Sequence, residues 1–346
     1  MQEKTRPRIL MIYTGGTIGM KENPATKALE PFDFDHLLDN VPKLKKLDYD
    51  IRHHQFDKPI DSSDMNPLHW TQIAQVIGVN YDKYDGFVVL HGTDTMAYTA
   101  SALSFMLENL SKPVIITGSQ LPIGEVRTDG EENLITALQI AAARDDEDKP
   151  IVREVAILFE NYLWRGNRST KRSADNFNAF RSNNYPELAK VGLDITFNRE
   201  ALWRGHIPDA TLNVHEFMDT NVVFLDLFPG IPEKVVRHII DIPGLKAIIL
   251  KTFGAGNAPG EKWFSEAIKE AVAKGIVVLN ITQCPNGEVD PYRYMSGLGL
   301  AQTGVIPGHD LTPEAAITKL MYLLGRGWHT EDVKKYMQCN LCGEMS

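Results

Sequence analysis

A chain of 346 residues is longer than one ordinary hydrophobic core serves, so two domains are expected. With 43% hydrophobic and 23% charged residues the composition is that of a folded globular protein, which excludes disorder. A net charge of −9 argues against a nucleic-acid partner, and no stretch approaches the roughly 20 apolar residues that span a bilayer. One basic run, "RGNRSTKR" (165–172), stands against the acidic background.

The amino terminus, "MQEKTRPRILMIYTGG", has an apolar run cut short by glycine, below the about 7–15 residues of a secretory core. The first element is that run, "RILMIYT" (8–14), a strand buried on both faces. "GFVVLHG" (86–92), "PVIITGS" (113–119) and "EVAILFE" (154–160) have the same character, with helical stretches at 94–110 and 129–143 between them. This alternation predicts an α/β protein whose larger N-terminal domain (1–200) is a doubly wound, mostly parallel sheet. Residues 201–221 lose the pattern and are read as a connector. A smaller α/β domain follows over 222–346, with strands in "VVFLDLF" (222–228), "KAIILKTFG" (246–254) and "GIVVLNITQC" (275–284) and helices near 263–274 and 313–324.

Three cysteines, Cys284, Cys339 and Cys342, fit a reducing compartment, so the cytoplasm is the expected location. Cys339 and Cys342 form a CxxC with no second pair to complete a zinc site, and they are read as thiols on a terminal helix.

Open parallel sheets bind ligands outside the carboxyl ends of their strands. The segments to inspect are therefore "TGGTIG", "DSSDM" (61–65), "HGTDTM" (91–96), "TGSQ" (117–120) and "RGNRSTK". "GGTIGMKE" lacks the lysine spacing of a phosphate loop. "FGAGNAPG" (253–260) approaches a dinucleotide fingerprint, but the next strand end carries Asn280 instead of an acid. What remains is hydroxyl chemistry: a threonine attacking a carbonyl needs a base, a group to orient the base, and donors for the oxyanion. Thr14 at a glycine turn, Thr93 beside Asp94, and Lys171 could supply these parts. Singly, each has an ordinary explanation: Thr14 as a cap, Thr93 or Asp94 as the N-cap of the next helix, and Lys171 as a solvated lysine in an irregular stretch.

"YTGGTIGM" and "VVLHGTDTM", in this order, resemble the two threonine signatures of the bacterial-type L-asparaginases, closest to the cytoplasmic, type I branch. "DSSDM", "RGNRSTK", "GAGNAP" and "LNITQC" are similar too, so the resemblance runs from about residue 8 to the C-terminus. It implies hydrolysis of L-asparagine to L-aspartate and ammonia with no metal and no cofactor. Thr14 would be the nucleophile that forms a β-acyl ester, and Thr93, Lys171 and Asp94 a relay in which Asp94 orients the lysine. Asp94 would also face the substrate's α-amino group, Ser62 would hold its α-carboxylate, and Asp61 and Ser63 would line the pocket. Asn257 of a partner chain would approach the site, which implies a homo-oligomer, a dimer or a dimer of dimers.

Two features depart from the family pattern. The segment after the first motif, "KENPATKALEPF" (21–32), lacks the tyrosine of many relatives, and Tyr13 is a poor substitute. In the effector pocket of allosteric relatives, matched here by Thr170, Lys251 and Cys284, a lysine replaces the arginine that clamps a carboxylate. The rival readings are a glutaminase or an ammonia-supplying amidotransferase subunit, and a non-enzymatic α/β protein that binds a small ligand.

Overall fold

Strand β1 (Arg8–Tyr13) is buried at every position after Arg8 because helices cover both faces of its sheet. Strand β2 (Asp50–Gln55) is polar and half exposed because it forms the sheet's edge. In β3 (Gly86–Leu90), β4 (Val114–Thr117) and β5 (Val155–Phe159) every residue is buried. These five strands are parallel and lie in the spatial order β2-β1-β3-β4-β5. The winding direction therefore reverses between β1 and β3.

The computed structural model describes residues 6–22, 29–31, 41–207, 210–292 and 295–346, in two compact units, Met1–Glu216 and Phe217–Ser346. The division falls inside the stretch read as a connector.

Among the described residues, three helices cover the first sheet. Helix α1 (Pro67–Asn80) starts with Asn66, whose side chain accepts from Leu68 N and His69 N, and with a proline in the first turn. Helix α2 (Met96–Met106) packs beside α1 and against β4 and β5. Helix α3 (Gly130–Ala142) shares a core with Ile9, Met11, Tyr13, Val88, Leu90, Ile115 and Leu158, while the alternate residues Leu10, Ile12, Val89 and Ile116 are buried on the other face. The helix expected at 94–110 is shorter than its sequence pattern because Leu107–Glu108 leaves it to pair with Asn213–Val214.

Beyond β5 the sheet turns antiparallel through β6 (Tyr162–Arg165). Strand β7 (Ser169–Lys171) pairs with β8 (Phe180–Ser182) in a separate two-stranded sheet, so Lys171 ends a strand and does not lie in an irregular stretch. Strands β9 (Ala189–Val191) and β10 (Ile195–Phe197) extend the large sheet past β6.

The first half of the basic run is buried, while Arg172 at its end is exposed. Arg165 and Arg168 are 3% and 2% exposed. Arg165 Nε donates to Glu154 at 2.6 Å and Nη2 to Ala201 O at 2.7 Å, and its guanidinium lies 4.4 Å from the Tyr185 ring. The Arg165 charge is spent inside the fold at the end of β6, and the Arg168 guanidinium lies 5.0 Å from the same Tyr185 ring.

The second unit has a wholly parallel sheet in chain order: β11 (Val222–Asp226), β12 (Ala247–Thr252), β13 (Val277–Thr282) and β14 (Ile306–Pro307). Its helices are α4 (Glu233–Ile240), α5 (Lys262–Ala273), α6 (Met295–Ala301), α7 (Pro313–Gly325) and α8 (Thr330–Met337). The CxxC lies past α8, in a terminal turn, and not on the helix as expected. That turn wraps a fully buried ion pair, Lys319 to Glu344 at 2.6 Å, in which Lys319 donates to Cys339 O and Glu344 accepts from Cys342 N. The two cysteines thus lend backbone groups to a structural lock, and no disulfide joins any of the three cysteines.

Candidate active site

The reversal between β1 and β3 leaves a crevice outside the carboxyl ends of these strands, and both threonine motifs begin there. Thr14 follows β1, is 1% exposed, and donates to Leu90 O from its N–H at 3.1 Å and from its hydroxyl at 2.9 Å. Its own carbonyl accepts from Ile60 N at 2.7 Å. Gly15 and Gly16 have φ of 135° and 90°. A Cβ on Gly15 would overlap the backbone of Ile60, and one on Gly16 the backbone of His91 and Gly92. The glycines thus let three chain segments meet at Thr14, which caps no helix: the turn Thr17–Gly19 starts at Gly16 without a side-chain cap.

Strand β3 runs into "HGTDT". His91 is fully buried, and its hydrogen bonds fix its tautomer. Gly92 O can only accept, so His91 Nδ1 carries the hydrogen and donates to it at 2.6 Å; Nε2 of the neutral ring then accepts from the Thr99 hydroxyl at 2.9 Å, whose oxygen accepts from Trp70 Nε1 at 3.0 Å. Burial pushes the imidazole down to about 4, against the opposing pull of the Gly92 carbonyl, so it is neutral. With the Gly92 carbonyl turned inward, the trans peptide turns the Thr93 N–H the opposite way. That N–H has no hydrogen bond among the described residues.

Lys171 Nζ meets both members of the second motif, at 2.8 Å from Thr93 Oγ1 and 2.6 Å from Asp94 Oδ1. The lysine side chain is 16% exposed and that of Asp94 66%, so the ion pair opens to solvent on the carboxylate side. Neither Thr93 nor Asp94 caps α2: the cap position is Thr95, with no side-chain cap bond. Thr95 Oγ1 instead donates to Ser62 O at 2.6 Å.

Ser62 is buried against Gly92, where a Cβ would lie 2.6 Å from the serine Oγ, and its hydroxyl has no hydrogen bond among the described residues. Asp61 Oδ1 accepts from Ser63 N and Ser63 Oγ, both at 2.9 Å. The Ser63 N–H first, and its hydroxyl second, hold the Asp61 carboxyl below the usual carboxylate range. The Ser63 hydroxyl is therefore turned toward Asp61.

The structure thus brings Thr93, Asp94 and Lys171 into direct contact, and it seats Thr14 and Ser62 against the same β3 exit. No hydrogen bond joins Thr14 to Thr93 or to Lys171 among the described residues. Tyr13 donates its hydroxyl to Gly19 O at 3.0 Å, and burial pushes it up to about 12, so this phenol is a neutral anchor for the first loop. Most of the segment 21–32 lies outside the described residues.

Asn257, Lys251 and Cys284 belong to the second unit and Thr170 to the first. Asn257 closes a tight bridge with Phe253 through reciprocal backbone bonds at 2.8 and 2.9 Å, a turn that Gly254 and Gly256 allow with φ of 51° and 111°. Lys251 Nζ is ion-paired with Asp226 on the neighbouring strand at 2.7 Å. Cys284 is exposed, and Thr170 stands on β7 next to Lys171.

The sequence reading missed two polar residues. A lone histidine between a strand and a glycine, such as His91, reads as core. Gln120 lay in a strand-end segment singled out without a role for its side chain, yet its Oε1 is 3.3 Å from Thr93 Oγ1.

Two hydroxyls, an ammonium and a carboxylate stand at the switch point of a doubly wound sheet, the groups that a hydroxyl-dependent α/β enzyme site requires. The chain matches the family model "Asparaginase, N-terminal" over residues 8–203 and "Glutaminase/Asparaginase C-terminal domain" over residues 221–337. It is 45% identical to L-asparaginase 1 of Escherichia coli (strain K12), over 100% of this chain and 99% of that protein. Its fold superposes on the crystal structure of L-asparaginase I from Vibrio cholerae with a TM-score of 0.90 and 43% identity, covering 99% and 100% of the two chains. The thermostable L-asparaginase from Thermococcus kodakarensis gives a TM-score of 0.88 at 33% identity, covering 98% and 99%. The chain belongs to the asparaginase family.

Proposed function

We propose that this protein is an L-asparaginase, an amidohydrolase that converts L-asparagine to L-aspartate and ammonia through a threonine nucleophile. The observation that carries the reading is the Lys171 ammonium, in contact with Thr93 and Asp94 beside the β1 end that presents Thr14. Thr14 Oγ1 leaves its bond to Leu90 O and attacks the side-chain amide carbon. The Thr93 N–H, turned outward by the His91 bond to Gly92, donates to the developing oxyanion. The proton lost by the nucleophile passes to the amide nitrogen, the C–N bond breaks to release ammonia, and a β-aspartyl ester remains on Thr14. The Thr93–Lys171–Asp94 relay then carries the proton of the attacking water, with Asp94 orienting the lysine. The free Ser62 hydroxyl suits the α-carboxylate of the substrate, Asp94 its α-amino group, and Asp61 with Ser63 shapes the rim.

The reading extends to a cytoplasmic homo-oligomer, a dimer or a dimer of dimers, in which Asn257 of one protomer serves the site of another. Three cysteines without a disulfide among them fit that compartment. Activation by asparagine through Thr170, Lys251 and Cys284 is disfavoured, because the Lys251 ammonium is already spent on Asp226 and lacks the arginine fork.

Steady-state ammonia release from asparagine and glutamine over a wide concentration range tests the assignment. Turnover of asparagine with a hyperbolic curve is expected. Glutamine turnover at a higher kcat/KM would replace the asparaginase reading with a glutaminase, and no release from either amide would favour a binding protein.

A further inference from the structure

Gln120 lies between Thr93 and the loop that follows Lys171, and none of the roles above uses it. The direction of each hydrogen bond there is forced. The lysine ammonium can only donate, so in the 2.8 Å contact the Thr93 oxygen accepts. The Thr93 hydrogen goes elsewhere, and Gln120 Oε1 at 3.3 Å accepts it. The amide cannot flip, because its Nε2 faces two backbone carbonyls, Ala174 O at 3.4 Å and Asn176 O at 3.0 Å, which only accept.

The backbone of Gln120 is pinned as firmly. The Asp129 carboxylate, at the start of α3, accepts from Gln120 N at 3.1 and 3.0 Å and from Leu121 N at 3.1 Å. Asn133, one turn further along α3, donates to that carboxylate at 3.3 Å and to Gly118 O at 3.0 Å. The start of α3 holds the backbone of Gln120, and its amide side chain joins the loop after β7 to the Thr93 hydroxyl.

We propose that Gln120 is a positioning residue of the Thr93–Lys171 relay, in that its amide oxygen takes the Thr93 hydrogen and so keeps a Thr93 lone pair facing the lysine. A neutral amide does not take up the proton it orients, so Gln120 directs the hydroxyl without ending the relay. When Lys171 passes its proton toward the Thr14 oxygen released from the ester, the Thr93 hydrogen swings from Gln120 to the lysine nitrogen, and the Thr93 oxygen takes the proton of the attacking water. Without Gln120 the hydroxyl is free among its rotor positions and the loop at 174–176 loses its tie. The inference rests on the amidohydrolase reading, and it gives Gln120 no contact with substrate.

The test uses the full chain with Gln120→Met, similar in length but without either hydrogen bond, and Gln120→Ala, which removes bulk as well. Both variants should lose roughly tenfold in kcat, with a KM for asparagine that does not rise and an unchanged melting temperature. Parental kcat in both variants would overturn the inference, as would a fall in kcat matched by an equal rise in KM, the mark of a disturbed pocket. A parent chain that releases no ammonia would refute the activity itself, and the inference with it.

Discussion

His91 offers a perturbation whose size can be worked out beforehand. It is 0% exposed, and burial lowers it to about 4. The same group in the unfolded chain titrates near about 6.5. Between these values the unfolded chain binds more protons than the native one, so acid favours unfolding. Above the unfolded value the effect vanishes; it grows as pH falls and is complete below the folded value. The cost is about 2 kcal/mol near pH 5 and about 3 kcal/mol once both limits are passed. Replacing His91 by Gln keeps a donor for Gly92 O and an acceptor for the Thr99 hydroxyl while removing the titration. Urea unfolding of parent and His91→Gln at about pH 8 and pH 5 isolates the term, since the other titrating groups are common to both. The parent should lose about 2 kcal/mol more than the variant between these conditions. Equal losses would refute the buried, neutral imidazole, and with it the argument that aims the Thr93 N–H outward.

Three further outcomes follow from the site and its supports. Lys171→Met removes the only cation that touches Thr93 and Asp94 among the described residues, and kcat for asparagine should fall at least about 10²-fold at saturating substrate. Ser62→Ala should raise KM with kcat little changed, because its hydroxyl is assigned to the substrate's carboxylate and not to the reacting amide; steady-state kinetics reads both. Arg165→Met strands the Glu154 carboxylate in the core and should lower stability by about 3–5 kcal/mol in urea unfolding.

Strand positions, and the candidate residues at their ends, were legible because parallel strands covered on both faces are written as unbroken apolar runs. Their ends could then be read against the rule that ligands bind beyond strand carboxyl ends. What was hidden depends on contacts distant in sequence. Nothing in "RGNRSTKR" announces that Arg165 pairs with buried Glu154 or that Tyr185 lies against Arg165 and Arg168, so two structural arginines were read only as part of a basic run. The antiparallel extension through β6, β9 and β10 is built from strands of three or four residues, too short to show a period. Helix α2 ends early because of a partner strand about a hundred residues away. Gln120 and His91 escaped for the same reason: each is defined by partners on other elements, not by its neighbours in the chain.

Asparagine turnover by the parent chain beside Thr14→Val, with calorimetric binding of aspartate to both, tests the central claim most directly. The parent should release ammonia and aspartate in equal amounts. The variant, whose side chain keeps its shape but loses its hydroxyl, should turn over at least about 10³-fold more slowly while binding aspartate within a few-fold of the parent. Turnover by Thr14→Val near the parental rate would contradict the account, because the acyl ester would then have no oxygen on which to form.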